Sequence, residues 1–474
     1  MPNPYSLRDT KTEQMMNHGR SASGDFLKAL AADASGNIFE IEGYAAVGMA
    51  AERLVPLTVS ETVPMPYGSE RMLLPGRMAV FYNLKSRRFE TLSVHPDDPS
   101  MSIFPVAVFN SPGYVLRYTC AHRSEADAPA LPLFSYGAVG LHRGKFRSAA
   151  ICVDTEPRQD LRQMKPADVR KGIRLLRKRL PNNRLREHLE HCALVYGCPA
   201  GKNFFLGRYE APLPTSPSCN ARCLGCLSLQ KNSDIPHSQN RIRFKPTPAE
   251  IADVACFHID RVQKAIVSFG QGCEGDPLLA ADVVEPAIRL IRSRTSAGTI
   301  NLNSNAGLPD VLLRLIDAGL DSMRVSLNSF RPGCYEAYFR PKGYGWSDVL
   351  RSIDLAVERG VHVAVNYLNL PGFTDSPEEA QALMRFLEQH PIHMIQWRNL
   401  NFDPLRYLKV MQEVEPLGKP IGMGRLLDEV QHAFPLLRYG YFNPPKETFT
   451  LKRQPCPPSA SPSSPATRPT ASPA

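Results

Sequence analysis

From about residue 209 to residue 405, the chain alternates between short strand-like runs and amphipathic segments with helical spacing. The clearest run, 265–269, has no polar alternation, which is typical of a strand covered on both faces. Helical segments such as 282–294 and 348–358 separate the predicted strands, and strands joined through helices pair in parallel. The alternation therefore predicts an α/β fold built on a parallel sheet.

Three cysteines lie within eight residues, in a C-x3-C-x2-C spacing formed by Cys219, Cys223 and Cys226. Three thiolates on one loop can ligate three irons of a [4Fe–4S] cluster, whereas clusters used only for electron transfer normally have four cysteine ligands. The fourth iron would then be free to bind something other than protein. Gly225 permits a tight turn and a close approach to an inorganic core. A zinc site is the alternative, with His237 as a candidate fourth ligand.

This spacing resembles the signature of the radical S-adenosylmethionine (radical SAM) superfamily. The resemblance implies that Cys219, Cys223 and Cys226 hold a [4Fe–4S] cluster whose open iron binds SAM. It also implies that one electron cleaves SAM to a 5′-deoxyadenosyl radical, which abstracts hydrogen from a substrate. The fold that it implies is an open (βα)6 partial TIM barrel with its chemistry at the C-terminal ends of the strands. An electron donor such as a flavodoxin or ferredoxin is a further implied partner.

Four later stretches resemble other motifs of the family, and they supply the expected SAM contacts. The stretch 270–279 resembles the Gly-Gly-Glu-Pro stretch that binds the SAM amino group, with Asp276 or Glu274 as the acid. Stretches 299–305, 323–328 and 362–375 resemble those after the third, fourth and fifth strands. The cofactor contacts implied by these motifs are Gly275, Asp276, Asn305, Ser326, Asn328 and Asn366.

Two further polar positions fall inside predicted core elements. Gln396 and Arg398 share one side of the sixth strand, where they either face the cofactor or form a polar interior layer. His258 lies on the apolar stripe of a helix, so we predict a packed core histidine rather than a ligand.

Three other cysteines raise the question of a second metal site. Cys192 and Cys198 lie just ahead of the predicted barrel, and Cys273 lies in its glycine-rich stretch. Cys192 and Cys198, together with Cys273, could hold an auxiliary cluster, as in some radical SAM enzymes, or a metal ion, or they could be buried free thiols.

The rest of the chain divides by composition and pattern. Short β-like runs punctuated by proline and glycine occupy 37–154, as in a small barrel or sandwich. A terminal segment rich in proline, serine and alanine has too little apolar material to order. The predicted division is a flexible arm (1–25), a β-rich accessory domain (26–157), a basic helical connector (158–208), the barrel (209–405), a C-terminal cap (406–453) and a disordered tail (454–474).

The net charge of +10 is concentrated in one segment. Residues 158–186 contain eleven Lys or Arg and two Asp, which could attract an acidic or nucleic-acid partner or could simply form a solvated helix face. There are two alternatives to a radical SAM enzyme that abstracts hydrogen from an unidentified substrate. One is a zinc-binding, non-catalytic RNA-binding protein, and the other is a radical SAM enzyme that modifies RNA.

The sequence has no stretch of 18 uninterrupted apolar residues and no apolar region near its start, so we expect no membrane contact. Cysteines grouped as metal ligands favour a reducing compartment, and the predicted location is cytoplasmic. The substrate could be a peptide, a nucleotide or a small metabolite, because a barrel mouth serves all three.

Overall fold

The computed structural model describes residues 6–7, 26–230 and 233–450. The predicted disordered tail lies outside the described residues, and so does the predicted arm apart from residues 6–7. Those two residues form a strand that pairs antiparallel with Arg71 and Met72.

The N-terminal part is β-rich, and its described strands pair antiparallel. The strands are β1 (Ser6–Leu7), β2 (Lys28–Ala32), β3 (Ile38–Ala45), β4 (Val47–Ala50), β5 (Arg53–Pro56), β6 (Val63–Pro64), β7 (Glu70–Leu73), β8 (Arg77–Asn83), β9 (Arg88–Leu92), β10 (Val94–His95), β11 (Asp98–Ser102), β12 (Phe104–Phe109), β13 (Tyr114–Leu116), β14 (Thr119–Cys120), β15 (His122–Ser124), β16 (Gly137–His142), β17 (Lys145–Ser148) and β18 (Ala150–Cys152). The largest sheet runs in the order β15-β8-β3-β2-β12-β16-β14-β4-β5. Small aliphatic residues such as Ala29, Ala31 and Ala79 let the sheet layers pack closely.

Three helices connect this part to the second sheet: α1 (Pro166–Arg179), α2 (Arg184–Leu194) and α3 (Pro199–Leu206). Helix α1 buries Val169, Ile173 and Leu176 at the predicted spacing. Its basic residues point the other way, which gives the amphipathic helix that the sequence predicts.

The second sheet has seven parallel strands in sequential order, and helices connect most of them. It confirms the predicted parallel α/β fold. Its elements are β19 (Glu210–Pro212), α4 (Pro248–Ile259), β20 (Ile266–Phe269), α5 (Ala281–Arg294), β21 (Thr299–Ser304), α6 (Pro309–Ala318), β22 (Ser322–Leu327), α7 (Pro332–Phe339), α8 (Trp346–Glu358), β23 (His362–Asn369), α9 (Pro377–Gln389), β24 (Met394–Asn399), α10 (Pro404–Val414), α11 (Met423–Ala433) and β25 (Arg438–Gly440).

Strand β25 lies in the segment predicted to be a cap of helix and loop, and that prediction was wrong at this point. Ile395 and Gln396 of β24 pair in parallel with Tyr439 and Gly440. The strand is only three residues long and contains a glycine, so it has no apolar run that would reveal it in the sequence.

The sheet is open between its edge strands β19 and β25. Side chains bridge this opening, because Asn443 Nδ2 donates to Glu210 Oε1 at 2.9 Å. The β-rich part contacts β24, since Asn399 Oδ1 accepts the Leu116 N–H at 2.8 Å. The parallel sheet thus has contacts with segments that precede it and follow it in the chain.

Among the described helices, none has the length and apolar character needed to cross a membrane.

Candidate active site

A cavity of about 410 Å³ lies at the C-terminal ends of the parallel strands. Its size is within the range of small-molecule sites, about 300–1,000 Å³. Eight of the nine predicted site residues line it: Cys219, Cys223, Cys226, Gly275, Asp276, Asn305, Ser326 and Asn366.

The loop that carries the three cysteines, residues 219–226, is called the cysteine loop. The end of α7 holds this loop from one side. The backbone N–H groups of Arg222 and Leu224 donate to the carbonyls of Phe339 and Tyr338 at 2.9 and 3.0 Å. A Cβ atom on Gly225 would lie 2.9 Å from the Tyr338 hydroxyl. The loop therefore needs a residue without a side chain where it passes this tyrosine.

The loop after β20 holds the same segment from the other side. Gly275 N–H donates to Ser216 O at 2.6 Å, and Asp276 N–H donates to Ser218 O at 2.9 Å. A Cβ atom on Gly275 would lie 1.8 Å from Ser218 O. Only glycine allows this approach, which fixes the backbone directly before Cys219.

Glu274 joins these two loops through its carboxylate. Oε2 accepts the N–H groups of Thr215 and Ser216 at 2.7 and 2.9 Å. Oε1 accepts those of Gly270 and Gln271, both at 2.7 Å. Burial raises the pKa of Glu274 to about 7, while the four N–H groups act in the opposite direction. Glu274 is thus a structural link and does not line the cavity.

Asp276 is the acid that reaches the cavity. Its carboxylate accepts the Ser304 hydroxyl at 2.8 Å, and the N–H groups of Asn305 and Leu278 at 2.7 and 3.1 Å. Burial raises the pKa of Asp276 above its ordinary value. Asn305 in turn donates to Asn220 Oδ1 at 2.7 Å, which ties the third strand to the cysteine loop.

Ser326, Asn366 and Gln396 lie side by side on three adjacent strands. The Oδ1 atom of Asn366 is buried and has no hydrogen-bond partner among the described residues. An orphaned acceptor in a cavity wall suits a ligand that carries a donor, such as a ribose hydroxyl. Gln396 belongs to a polar interior layer, because it bonds with Arg324 and Asn443.

Asn328 is the one predicted cofactor contact that the structure does not bring to the cavity. It follows the end of β22, and its Nδ2 donates to Tyr407 Oη at 2.9 Å and to Cys334 O at 3.2 Å. The chain has already turned towards α7 at this residue, so the side chain packs between helices.

Arginines form the opposite part of the cavity lining. Arg324 and Arg398 face it, and burial with the neighbouring Arg398 lowers the pKa of Arg324 to about 9. Arg158 has carboxylate partners in Glu210 and Glu156 at 3.5 and 3.6 Å. Arg324 and Arg398 have no ion pair in the described part of the chain. The cavity therefore carries excess positive charge.

Sequence reasoning missed several of the residues that line this cavity. Arg324 precedes Ser326 by two residues on β22, so the strand period alone would have placed both on one face. Tyr441 and Asn443 follow the unrecognised strand β25, and no sequence signal identified them.

The three cysteines of the motif share the cavity lining, whereas the candidate fourth zinc ligand lies elsewhere. His237 contacts Asn240 at 3.0 Å and does not line the cavity.

A second cluster of donor atoms lies behind the loop after β20. His188 Nε2 is 3.4 Å from Cys273 Sγ and 3.5 Å from Cys192 Sγ, and all three atoms lie within 4.8 Å of one another. The hydrogen bond from Cys273 lowers the pKa of Cys192 to about 5. Cys198, which the sequence analysis grouped with these cysteines, is not part of this set.

The basic segment is partly neutralised by ion pairs. Five of its eleven cations have carboxylate partners: Arg158, Arg162, Arg177, Arg184 and Arg186. The other six cations are exposed: Lys165, Arg170, Lys171, Arg174, Lys178 and Arg179. Five of them lie on α1 and Lys165 directly precedes it, so the remaining charge is concentrated on this helix.

His258 is buried in the barrel wall, as predicted. Its Nε2 lies 3.2 Å from Tyr209 O, and its ring contacts Phe204. Burial lowers the pKa of His258 to about 4, so the ring is neutral at pH 7.

Comparison with known proteins gives one family match, to the Radical SAM superfamily over residues 213–387. The chain is 30% identical over 159 residues to GTP 3′,8-cyclase of Sulfurovum sp., covering 33% of this chain and 45% of the relative. It is 26% identical over 205 residues to the mitochondrial GTP 3′,8-cyclase of Arabidopsis thaliana, covering 41% and 49%. The chain thus spans less than half the length of these relatives.

Among solved structures, a radical SAM methyltransferase from Sphaerobacter thermophilus matches with 16% identity and a TM-score of 0.34, over 48% of this chain and 66% of that one.

Proposed function

Residues 213–387 form a radical SAM superfamily domain, and from this premise we propose that the protein binds a [4Fe–4S] cluster at Cys219, Cys223 and Cys226 and cleaves SAM reductively. The observation that carries the proposal is that one cavity is lined by the three cysteines together with Asp276 and Asn366. When bound, the cluster would supply the electron that splits SAM to the 5′-deoxyadenosyl radical, which abstracts hydrogen from substrate.

The surroundings of the motif support a cluster over a single zinc ion. His237, the candidate fourth zinc ligand, contacts Asn240 and does not line the cavity. Three cysteines can ligate three irons of a cluster and leave the fourth iron open. The non-catalytic zinc alternative is correspondingly disfavoured.

The residues on the remaining cavity wall suit SAM. Asp276 offers a carboxylate to an ammonium group. Gly275 has no side chain where its backbone approaches the start of the cysteine loop. Asn366 offers an unpaired buried acceptor, and Ser326 lies next to it on the neighbouring strand. Asn305 acts by fixing Asn220 on the cysteine loop.

Single Cys→Ala changes at 219, 223 and 226 test the ligand assignment. Each should remove reductive cleavage of SAM, measured as 5′-deoxyadenosine formed with dithionite under anaerobic conditions. The matched control is Cys256→Ala, because Cys256 lies on α4, away from the cavity lining. Full 5′-deoxyadenosine formation by any of the three variants would contradict the assignment.

We further propose that the substrate carries an anionic group. Arg324 and Arg398 line the cavity without a carboxylate partner in the described chain, and a buried guanidinium is strongly stabilised by a bidentate anion. GTP is the first ligand to test, because the relatives are named GTP 3′,8-cyclases. Guanosine is its uncharged counterpart.

Variants Arg324→Gln and Arg398→Gln distinguish a substrate anion from the carboxylate of SAM. If the arginines serve the substrate, these variants weaken GTP binding by about tenfold or more, a loss of about 1.4 kcal/mol, and leave the SAM affinity unchanged. Equal binding of GTP and guanosine to the wild-type protein would contradict the proposal. So would a selective loss of SAM affinity in either variant.

The exposed basic face of α1 supports a further partner, either an acidic electron donor of the flavodoxin or ferredoxin type or RNA. Arg170, Arg174 and Lys178 are separated by four residues each and share one face. Their joint replacement by Gln should raise the KM for a reduced flavodoxin if the donor docks there. An RNA-modifying enzyme would instead lose salt-dependent RNA binding in the same variant.

A further inference from the structure

We propose that His188, Cys192 and Cys273 form a zinc site that is separate from the cysteine motif of the cavity. The site joins α2, which carries His188 and Cys192, to the loop after β20, which carries Cys273. It goes beyond the proposed SAM chemistry, because none of the three residues lines the cavity.

The first argument is helical geometry. His188 and Cys192 are four residues apart on α2, so their side chains project from the same face. That face packs towards the barrel, where Cys273 is buried with 6% of its surface exposed. Cys192 is also buried, with 2% exposed. The two elements thus present three ligand-type atoms to one point.

The second argument is distance. A tetrahedral zinc ion with Zn–S of about 2.3 Å and Zn–N of about 2.05 Å places sulfur and nitrogen ligands about 3.6 Å apart. The two nitrogen–sulfur distances here are 3.4 and 3.5 Å. The two sulfurs lie within 4.8 Å of each other, so the three atoms are close enough to share a single ion.

The third argument is chemical. Sulfur is a weak hydrogen-bonding partner, so mutual hydrogen bonds give this buried trio little stabilisation. Two thiolates and one neutral imidazole balance the charge of Zn²⁺, which makes the site neutral overall and suited to burial. Soft thiolate ligands favour zinc over calcium, magnesium or manganese.

Three protein ligands leave one position of a tetrahedral zinc ion for a non-protein ligand. Cys198 stays outside the set of close atoms, although its N–H donates to Cys192 O at 3.0 Å. His188 is only partly buried, whereas Cys192 and Cys273 are buried. Three protein ligands and one water would complete a tetrahedron.

The consequence of zinc binding is control over loop position. Cys273 immediately precedes Glu274, whose carboxylate accepts hydrogen bonds from Thr215 and Ser216, just ahead of the cysteine loop. Cys273 also lies three residues before Asp276. An ion that fixes Cys273 to α2 thereby fixes the loop that lines the cavity. His188, Cys192 and Cys273 are positioning residues in this arrangement.

Metal analysis of the full-length protein tests the site. After anaerobic expression with added zinc and iron, the wild-type protein should contain about one zinc per chain. Cys192→Ser and His188→Gln should lose at least nine-tenths of the zinc and keep their iron, whereas Cys256→Ser keeps both metals. The triple variant Cys219→Ser, Cys223→Ser, Cys226→Ser should lose iron and keep zinc.

X-ray absorption at the zinc edge gives a readout that needs no variant to fold. The wild-type spectrum should fit two sulfurs at about 2.3 Å and at least one nitrogen at about 2.0 Å. Zinc coordinated by three sulfurs, or zinc lost only in the triple variant, would overturn the assignment. A Cys192–Cys273 disulfide in the anaerobic protein, a second iron–sulfur cluster at these residues, or no zinc at all would overturn it as well.

Discussion

Gly275→Ala should damage the cysteine loop while leaving the rest of the barrel folded. The new Cβ would lie 1.8 Å from Ser218 O, whereas real Cβ contacts are not shorter than 3.0 Å, so the two must separate by at least 1.2 Å (3.0 − 1.8). The new Cβ is bonded directly to the backbone of residue 275, and Ser218 O is itself a backbone atom, so no flexible side chain can absorb this shift.

The energetic cost follows from the hydrogen bonds at this contact. Ser218 O accepts from Asp276 N–H at 2.9 Å and from the Ser216 hydroxyl at 2.8 Å, and Gly275 N–H donates to Ser216 O at 2.6 Å. At about 1 kcal/mol each, their loss costs about 3 kcal/mol. Because Ser218 precedes Cys219, the displacement also moves a proposed iron ligand by more than the roughly 0.5 Å that a functional site tolerates.

The assay compares iron, sulfide and 5′-deoxyadenosine formation after anaerobic reconstitution. We expect Gly275→Ala to retain less than about one tenth of the wild-type cluster, since about 3 kcal/mol corresponds to more than a hundredfold in an equilibrium constant. Gly345→Ala is the matched control, because its φ is −137° and nothing lies within 4 Å of the added Cβ. Wild-type iron content in Gly275→Ala would refute the reasoning.

Two further predictions concern buried titratable groups. Glu274→Gln should lower the free energy of unfolding by about 2–4 kcal/mol, because its new NH2 group would face two backbone N–H donors. Urea denaturation of this variant and of the exposed control Glu336→Gln measures the loss. His258→Gln should reduce the dependence of the free energy of unfolding on pH below pH 6.5. The pKa of His258 is about 4 in the folded protein and 6.5 ordinarily, so the wild-type protein loses stability as the pH falls from about 6.5 to 4. That loss amounts to about 3 kcal/mol, and parallel urea-denaturation profiles for wild type and variant would show that His258 does not cause it.

The sequence was most informative where local patterns repeat. Strand β20 lies within the apolar run 265–269 that predicts a strand covered on both faces. The three cysteines and most of the expected cofactor contacts line one cavity because parallel strands end at the same edge. These features depend on neighbours in the chain or on strand direction.

Features that depend on distant packing could not be predicted. Asn328 follows a motif-like strand, yet Tyr407 on α10 accepts its hydrogen bond, a contact 79 residues away in sequence. Strand β25 is defined by pairing with β24, since three residues carry no periodicity of their own. His188 has no distinguishing neighbour in the sequence, and only the packing of α2 against the barrel brings it to Cys273.

The location of the contacts around the cavity explains why the family match over 213–387 informs the cofactor more than the substrate. Both sets of hydrogen bonds that hold the cysteine loop, Ser218 with Asp276 and Leu224 with Tyr338, lie inside the matched segment 213–387. Their geometry therefore belongs to the part of the chain that is shared with relatives. By contrast, Arg158, Arg398, Tyr441, Phe442 and Asn443 line the same cavity from outside that segment. Because the residues that would contact substrate include these, specificity has to be determined on this chain itself, by ligand binding to the intact protein.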